Sequence, residues 1–224
     1  MIIVHHLEDS RSQRILWLLE ELELPYEVVR HARDPQTRFA PKALRDIHPL
    51  GKSPVIVDGE TVVAESGAII EYLAGRDPQQ RLLPPPGTPE QLRWRYWLHF
   101  AEGSAMPFLL MKLVFDEVAR AKMPFFARPI ARAISHKVQS SFVLPNIGAQ
   151  LDFIESELAQ RPWFAGERFS AADVQMSFPL EACAARGALQ PRHARTLAWL
   201  DAIHARPAYQ RAIDKGGPYR IVGN

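Results

Sequence analysis

The sequence has little of what would mark a secreted protein or a nucleic-acid-binding protein. It holds a single cysteine, Cys183, among 224 residues, which excludes an internal disulfide and suits a reducing compartment. The formal net charge is only +2, too small to indicate nucleic acid or an anionic membrane as the main partner. We therefore expect a cytoplasmic protein that binds no nucleic acid and does not associate with membranes.

Long apolar runs and metal-ligand patterns are missing as well. No apolar stretch approaches the roughly 20 residues that a membrane span requires. The opening stretch MIIVHHLEDS lacks the basic start of a signal peptide, so we expect none. His5 and His6 lie on a predicted strand, where packed histidines are the common case, and no spacing of potential ligands indicates a metal site.

Strand patterns occur only in the first part of the chain, where apolar residues alternate in some stretches and recur at helical spacing in others. They first predict a strand at 2–7, a helix with Ile15, Leu18, Leu19 and Leu22 on one face, and a strand at 26–31. An irregular helix near 41–46 follows, then a hairpin of 54–57 and 61–64 that turns at Asp58-Gly59, and a helix at 65–73. The βαβ opening implies two parallel strands, and the hairpin adds an antiparallel side. We therefore predict a small α/β domain.

A proline-rich segment divides the chain. Residues 77–90 carry five prolines and one glycine, which suit neither a helix nor a central strand and are typical of an interdomain linker. The segments after it show only helical spacing, at 91–118, around 147–158 and around 197–203. Pro179 predicts a kink or a break in a helix over 172–186. The predicted units are an α/β domain at 1–78, a linker at 79–90 and an all-helical domain at 91–224.

Two serines lie where the first strand gives way to the first helix. If that helix begins directly after Ser10, then Ser10 and Gln13 form an S-x-x-Q capping box, which is a structural role. The free N–H groups and the positive dipole end of a helix start also suit an anion, and a serine hydroxyl there can donate to a bound thiolate. Ser12, one step further into the first turn, is the competing donor.

A second candidate cluster precedes the hairpin, in the stretch GKSPV. If Pro54 is cis, the backbone of Ser53 is turned outward and can pair with an extended peptide as an added strand would. The alternative is an ordinary trans proline that opens an edge strand. The local sequence alone favours the trans form, because cis bonds are rare.

A third cluster, Glu65 and Ser66, lies at the start of the next predicted helix. Ser66 is a natural N-cap residue. The free N–H groups and the Ser66 hydroxyl would suit a ligand carboxylate, and the Glu65 side chain would suit a ligand ammonium group. Capping alone explains the motif equally well.

Several stretches of the chain resemble cytosolic glutathione transferases over essentially its whole length. They are DSRSQRILWLLEELELPYE, HPLGKSPVIVDGETVVAESGAIIEYL and GERFSAADVQMSFPL, and FAEGSAMPFLLMKLVF resembles in particular the subgroup shared by bacteria and yeast. The resemblance implies an α/β thioredoxin-like N-terminal domain plus an all-α C-terminal helical domain. It also implies a homodimer with glutathione as co-substrate and no metal. Ser170 and Asp173 match the family's structural capping box.

The resemblance also implies how glutathione would be held. The backbone of Ser53 would pair with the cysteinyl part, and Pro54 would be the cis-proline of the thioredoxin-like fold. Glu65 and Ser66 would hold the amino and carboxylate ends of the γ-glutamyl part. Lys52, where related enzymes often have glutamine, would reach the glycyl carboxylate.

The catalytic residue implied by the resemblance is a serine. Ser10 lies four residues before Arg14, as the catalytic serine does in serine-type classes, whereas other classes place it five residues before, which here is Asp9. The first turn holds no tyrosine and no cysteine. A tyrosine-type mechanism and the cysteine-based omega- and beta-like enzymes are therefore not expected.

The predicted function is attack of the glutathione thiolate on a hydrophobic electrophile, as in detoxification. The electrophile would lie between the domains against Phe108, Met111 and Phe115, which recur at helical spacing, although a core position is the commoner role for any one of them. The same site would support a glutathione-dependent peroxidase or reductase. A non-catalytic glutathione-transferase-like binding module is the remaining alternative. The presence together of Lys52, Ser53, Glu65, Ser66 and a helix-start serine argues against it.

Residues 114–141, with the stretch MPFFARPIARAISHKVQSS, mix basic and apolar side chains. This composition fits a helix at a membrane surface, but a solvated helix that lines the cleft is the preferred interpretation.

Overall fold

A four-stranded sheet organises the first part of the computed structural model, which describes residues 1–37, 39–217 and 219–221. Its strands are β1 (Ile2–Leu7), β2 (Tyr26–His31), β3 (Val55–Asp58) and β4 (Thr61–Ala64), in the order β2-β1-β3-β4. β1 pairs parallel with β2 and antiparallel with β3, and β3 pairs antiparallel with β4. The predicted βαβ unit and hairpin are confirmed.

The hairpin turn lies one residue later than predicted. Asp58 still pairs with Thr61, so the two loop residues are Gly59 and Glu60. Gly59 has φ of 62°, a conformation that suits a glycine at the first loop position. Asp58 stays in the strand, where its carboxylate accepts hydrogen bonds from Tyr72 and Arg76.

Three helices, α1 (Gln13–Leu22), α2 (Ala43–Ile47) and α3 (Ser66–Arg76), accompany the sheet. α1 is buried along nearly its whole length, because it contacts β1, α3 and two helices of the second part of the chain. The sequence predicted only one apolar face for α1. The second face is buried because the helical part packs on it.

The proline-rich segment between α3 and the next helix is packed rather than free. Leu82 is buried, and its carbonyl accepts a hydrogen bond from the Ala171 N–H at 3.0 Å. The Asp77 carboxylate accepts from the Arg81 backbone and guanidinium at 2.9 and 3.0 Å. The segment is therefore held against the helical part.

The second part of the described chain is helical. Its helices are α4 (Pro89–Phe100), α5 (Met106–Arg120), α6 (Arg128–Val138), α7 (Leu144–Gln160), α8 (Ala171–Ala185), α9 (Ala194–His204) and α10 (Pro207–Gly216), with π-helical turns at Ala101–Ala105 and Gln139–Val143. By length and composition alone, the run Pro89–Arg120 passes for a membrane span, which is weak evidence for one. Trp94 and Trp97 within it are buried in the protein core.

The start of α8 carries the capping box implied by the resemblance. The Ser170 hydroxyl accepts at the helix start, and the Asp173 carboxylate accepts from the Ser170 N–H at 2.9 Å. The same buried carboxylate also accepts from the Phe164 N–H and the Trp199 indole. The capping box therefore also ties α8 to its neighbours.

α8 runs through Pro179 without the break that the sequence allowed. Proline has no N–H, so the carbonyl of Gln175, four residues earlier, receives no helical hydrogen bond. Arg14 of α1 supplies the missing donor, with Nη1 2.7 Å from that carbonyl oxygen. Its Nη2 lies 2.5 Å from Oε1 of Glu102, in the first π-helical turn.

Glu102 is the counterion of a guanidinium that is 99% buried. Burial alone would raise the pKa of the Glu102 carboxyl, but the charges of Arg14 and Arg11 outweigh it and lower that pKa. The Arg11 side chain is about a third exposed, with Nε 3.1 Å from Oε2 of Glu102. One carboxylate thus serves a buried and an exposed cation.

We expect Glu102→Ala to lower the free energy of unfolding by about 3–5 kcal/mol, because it leaves the Arg14 charge buried without a counterion. Arg11→Ala is the matched control and should cost less than about 1 kcal/mol, since solvent screens its ion pair. Chemical denaturation of both variants beside the wild type measures the difference. Equally small losses in the two variants would contradict this role of Glu102.

Glu20 fastens α10 to α1. Its Oε1 accepts from the Lys215 ammonium and the Tyr26 hydroxyl, both at 2.6 Å, and its Oε2 accepts from Arg211 Nε at 2.8 Å. Burial would raise the pKa of Glu20, but the hydrogen bonds from Lys215, Tyr26 and Arg211 lower it to about 2. The folded state therefore favours the ionised carboxylate.

Because its pKa is lowered from 4.5 to about 2, the Glu20 carboxylate stabilises the folded state fully at pH values above 4.5. This stabilisation is lost as the pH falls toward 2. We expect Glu20→Gln to be about 1–3 kcal/mol less stable than the wild type at pH 7. That gap should shrink between pH 4.5 and pH 2. Urea denaturation across this range measures it, with the exposed Glu23→Gln as control. A gap independent of pH would refute the assignment.

Candidate active site

A pocket of about 200 Å³ lies where the turn before α1, the loop before β3, the start of α3 and the first π-helical turn meet. Its walls are formed by Arg11, His48, Leu50, Lys52, Ser53, Pro54, Ala64, Glu65, Ser66 and Glu102. Five of the residues predicted from the sequence, 52–54 and 65–66, therefore meet in one place. A larger cavity of about 740 Å³, between residues 79–90 and 165–170, contains none of the predicted site residues.

The peptide bond between Ser53 and Pro54 is cis, as the resemblance implies. The Ser53 hydroxyl donates to the His5 carbonyl at 3.0 Å and thereby ties the loop to β1. β3 begins only at Val55, so the Ser53 backbone lies outside the strand pairing, at the wall of the pocket. This is where an extended peptide can add to the sheet.

Lys52 is exposed at the pocket and has no ion-pair partner among the described residues. Its position depends on Gly51, which has φ of 58° and lies against Arg45. A Cβ atom at Gly51 would approach Arg45 Cγ to 2.5 Å. Glycine is required there both for the backbone conformation and for the space.

α3 begins at Ser66, one residue earlier than an N-cap role for Ser66 would require. Glu65 occupies the N-cap position, and its side chain makes no capping hydrogen bond. Its φ of 72° is unusual for a non-glycine residue, and such strained positions cluster at active sites. The prediction of Ser66 as the N-cap is therefore wrong, and the exposed Glu65 carboxylate faces the pocket beside the free N–H groups of α3.

The capping box predicted for Ser10 and Gln13 is also wrong. α1 begins at Gln13, and Ser12 is its N-cap residue without a side-chain capping bond. The Ser12 hydroxyl is used elsewhere, since it accepts from the Leu7 N–H at 3.2 Å and lies 2.9 Å from His6 Nδ1. These bonds draw the first turn toward β1 and delay the start of the helix.

A chain of hydrogen bonds connects Ser10 to the interior. Ser10 Oγ lies 2.7 Å from Ser12 Oγ and accepts from the Ser12 N–H at 3.2 Å. Burial, followed by the charge of Arg30, lowers the pKa of His6 to about 4, so its ring is neutral at pH 7. Ser12 is fully buried and Ser10 is 5% exposed. Neither serine is among the pocket-lining residues, but Arg11 between them is.

Sequence reasoning missed several residues around the site, among them His6, Arg11 and Glu102. His6 was interpreted as a packed histidine, and nothing local distinguishes it from one. Arg11 lies between the two candidate serines and offers only a positive charge there, with no spacing that assigns it a role. Glu102 brings the helical part of the chain into the pocket wall. The available signal for Glu102 was a carboxylate within the largely apolar stretch FAEGSAMPFLL.

The residues predicted to hold the electrophile lie apart from this pocket. Phe108, Met111 and Phe115 are all on α5 and half-buried, and none of them lines it. Phe108 and Met111 pack on the hydrophobic core, and the Phe108 ring meets that of Phe142 at 5.7 Å.

Other reactive groups are not gathered near the pocket. Within residues 1–37, 39–217 and 219–221, no group of three or more His, Cys, Asp or Glu side chains is placed to hold a metal ion. Cys183 is buried in α8, and burial raises the pKa of its thiol to about 12.

Comparisons with known proteins agree with this geometry. The family models described as the glutathione S-transferase N-terminal and C-terminal domains match residues 1–75 and 118–202. The chain is 36% identical to glutathione S-transferase 3 of Schizosaccharomyces pombe, over 96% of this chain and 88% of that protein. It is 33% identical to glutathione S-transferase 1 of Saccharomyces cerevisiae, over 96% of this chain and 95% of that one.

A solved structure agrees as well. The crystal structure of a glutathione S-transferase from Actinobacillus pleuropneumoniae matches this one with a TM-score of 0.82 and 32% identity, over 99% of this chain and 95% of that one. The predicted fold, a thioredoxin-like domain followed by an all-α domain, is confirmed. The chain belongs to the glutathione S-transferase family.

Proposed function

We propose that the protein is a serine-type glutathione transferase that binds glutathione in the pocket described above and stabilises its thiolate with Ser10. The observation that carries the proposal is the meeting of the cis-Pro54 loop, the start of α3 and the turn before α1 around that pocket. Each of the three offers backbone or side-chain groups that suit one part of a γ-glutamyl peptide.

The charges of the pocket are complementary to those of glutathione. The exposed Glu65 carboxylate pairs with the ammonium of the γ-glutamyl part, and the Ser66 hydroxyl with the free N–H groups of α3 holds its carboxylate. The Ser53 backbone pairs with the cysteinyl part as an added strand. The ammonium of Lys52 holds the glycyl carboxylate. Both ends of the peptide are thereby fixed, and the thiol is directed toward the start of α1.

One serine hydroxyl can supply the free energy needed to stabilise the thiolate. A free thiol with a pKa of ~8.5 is about 3% ionised at pH 7, and lowering that pKa by ~2 units requires ~2.7 kcal/mol. A hydrogen bond to a charged group contributes roughly 1.5–3 kcal/mol, and a helix start adds about 0.3–1 kcal/mol. Ser10 at the start of α1 therefore provides enough stabilisation, and the Arg11 guanidinium adds positive charge.

Ser12 and His6 prepare Ser10 for this role in the proposed mechanism. Ser10 Oγ accepts a hydrogen bond from the Ser12 N–H. When the hydrogen of the His6 ring is on Nδ1, it is donated to Ser12 Oγ. The Ser12 hydroxyl then donates its own hydrogen to Ser10 Oγ. In that arrangement the hydrogen of Ser10 is free to point at the sulfur. Ser12, which is fully buried, acts as a positioning residue and not as the thiolate donor.

The reaction follows from the activated sulfur. The thiolate forms a bond to the electrophilic carbon of a hydrophobic substrate, and either a leaving group departs with its electron pair or the adduct takes up a proton. Holding the two reactants together supplies most of the remaining rate enhancement. The partly exposed wall formed by Arg11 and Glu102 is the side of the pocket that faces the helical part, and the electrophile enters there.

The proposal includes a homodimer in the cytoplasm that detoxifies hydrophobic electrophiles. Family membership supports the dimer, as do exposed apolar side chains at Leu92 and Tyr96 of α4 and at Val62 of β4. A single thiol, buried at Cys183, suits a reducing compartment.

We expect Ser10→Ala to raise the pKa of the bound glutathione thiol by about 1–2 units, because one charged hydrogen bond is lost. The ultraviolet difference spectrum of the thiolate, recorded against pH for wild type and variant, measures this pKa. The exposed Ser156→Ala is the control and should leave it unchanged. A lowered pKa that survives in Ser10→Ala would assign the stabilisation to backbone N–H groups or Arg11 instead.

Glu65→Ala should weaken glutathione binding about 10- to 100-fold, since the ligand ammonium loses its charged partner. The free energy of unfolding should change by less than about 0.5 kcal/mol, because Glu65 is exposed and caps nothing. Calorimetric titration and chemical denaturation measure the two quantities, with Glu60→Ala in the nearby turn as the control. Parallel losses of binding and stability would make Glu65 a structural residue.

A further inference from the structure

Four large apolar side chains on and just before α6 point into solvent. Phe125 is 81% exposed, Phe126 67%, Ile130 62% and Ile134 53%. We call them the α6 ridge, because 126, 130 and 134 follow one another at the helical spacing of four residues. Single exposed apolar residues are ordinary, whereas a continuous row of them marks an interaction surface.

The ridge lies away from the side on which α6 packs. That side carries the buried Ser135, whose hydroxyl donates to the Phe115 carbonyl of α5 at 2.8 Å. α6 contacts α5 and the second π-helical turn. The sequence predicted that this helix lines the cleft between the domains, but none of residues 119–141 lines the pocket. Contact with a ligand in that pocket therefore does not explain the exposed apolar side chains of the α6 ridge.

The same segment concentrates positive charge. Residues 119–141 contain five Lys or Arg residues and no Asp or Glu, against a net charge of +2 for the whole chain. Its exposed cations are Arg120, Lys122, Arg128, Arg132 and Lys137. In the part of the chain that the structure describes, Lys122, Arg132 and Lys137 have no ion-pair partner, and Arg120 reaches Glu117 only at 4.0 Å. These cations are therefore available to an external anion.

This combination fits one kind of partner better than the others. A second copy of the chain, placed symmetrically on the ridge, would bring two groups of five cations together with no carboxylate of the segment between them. A nucleic acid would satisfy the cations but would leave the phenylalanine and isoleucine side chains in water. A bilayer with anionic headgroups satisfies both, since apolar side chains enter the acyl boundary while lysine and arginine remain at the headgroups.

We propose that α6 and the loop before it dock the protein reversibly on an anionic lipid bilayer, with the α6 ridge inserted and the cations of residues 119–141 at the headgroups. The helix lies in the plane of the interface and does not span it. The small net charge of the chain predicted no such contact, because an average over 224 residues conceals one segment of concentrated charge. The proposal does not depend on the chemistry of the pocket.

The test is co-sedimentation of the full-length protein with vesicles. Vesicles of phosphatidylcholine with about one third phosphatidylglycerol should bind the protein at least about 10-fold more tightly than phosphatidylcholine alone, given about fivefold per juxtamembrane cation. Phe126→Ser with Ile130→Ser removes the centre of the ridge, and Arg132→Glu with Lys137→Glu reverses two charges. Either pair should reduce binding to anionic vesicles at least about 10-fold.

Matched controls use exposed residues elsewhere. Phe39→Ser removes an apolar side chain between β2 and α2 that is 75% exposed, and Arg192→Glu with Arg195→Glu reverses two exposed cations at and just before the start of α9. These variants should bind anionic vesicles as the wild type does. Calorimetric titration with glutathione should be unchanged in every variant, which separates a failure of docking from a failure of the proposed function.

Three results would overturn the proposal. One is no binding of the wild type to anionic vesicles. Another is binding that both ridge and charge variants retain. The third is a dimer, seen by sedimentation velocity, that the ridge variant alone dissociates, since the ridge would then be an interface between copies of the chain.

Discussion

The buried guanidinium of Arg14 is the interaction on which the rest of the structure depends. It lies in α1, at the centre of the molecule, and it is bonded to the Gln175 carbonyl in α8 and to the Glu102 carboxylate in the first π-helical turn. A charge in that position is tolerated only when its hydrogen bonds and its counterion are both in place. The Arg14 side chain is therefore a central contact between the thioredoxin-like part and the helical part, beside the bonds of Glu20 to α10.

Fold and pocket share the same counterion. Glu102 uses one oxygen to neutralise Arg14 and the other to hold Arg11, which faces the pocket. The position of Arg11 beside the proposed thiolate thus follows from the contact between the two parts of the chain. A substitution that disturbs this contact is expected to alter the pocket as well, because Glu102 is itself part of the pocket wall.

Local patterns were sufficient to predict most elements of the fold, because strand alternation, helical spacing and the Ser170–Asp173 motif are each contained in a few residues. The predictions were wrong where a residue distant in the sequence determines the local structure. Pro179 breaks nothing because Arg14, 161 residues before Gln175 in the sequence, replaces the lost donor. α1 starts late because the hydroxyl of Ser12 bonds to β1 in preference to its own helix. Sequence spacing contains neither contact.

The candidate site was predictable by residue type but not by arrangement. Two serines two residues apart were equivalent in the sequence, and both are buried. Their partners differ, since the Ser12 hydroxyl is bonded to Leu7 and His6 whereas the Ser10 hydroxyl is bonded to Ser12. Donors already fixed by such bonds need little reorganisation when charge develops on a ligand, and that is the condition under which a hydrogen bond stabilises an anion most. The bonds that occupy Ser12 are therefore a reason to propose Ser10 as the thiolate donor, because the Ser12 hydroxyl and the neutral imidazole hold the Ser10 hydroxyl in position.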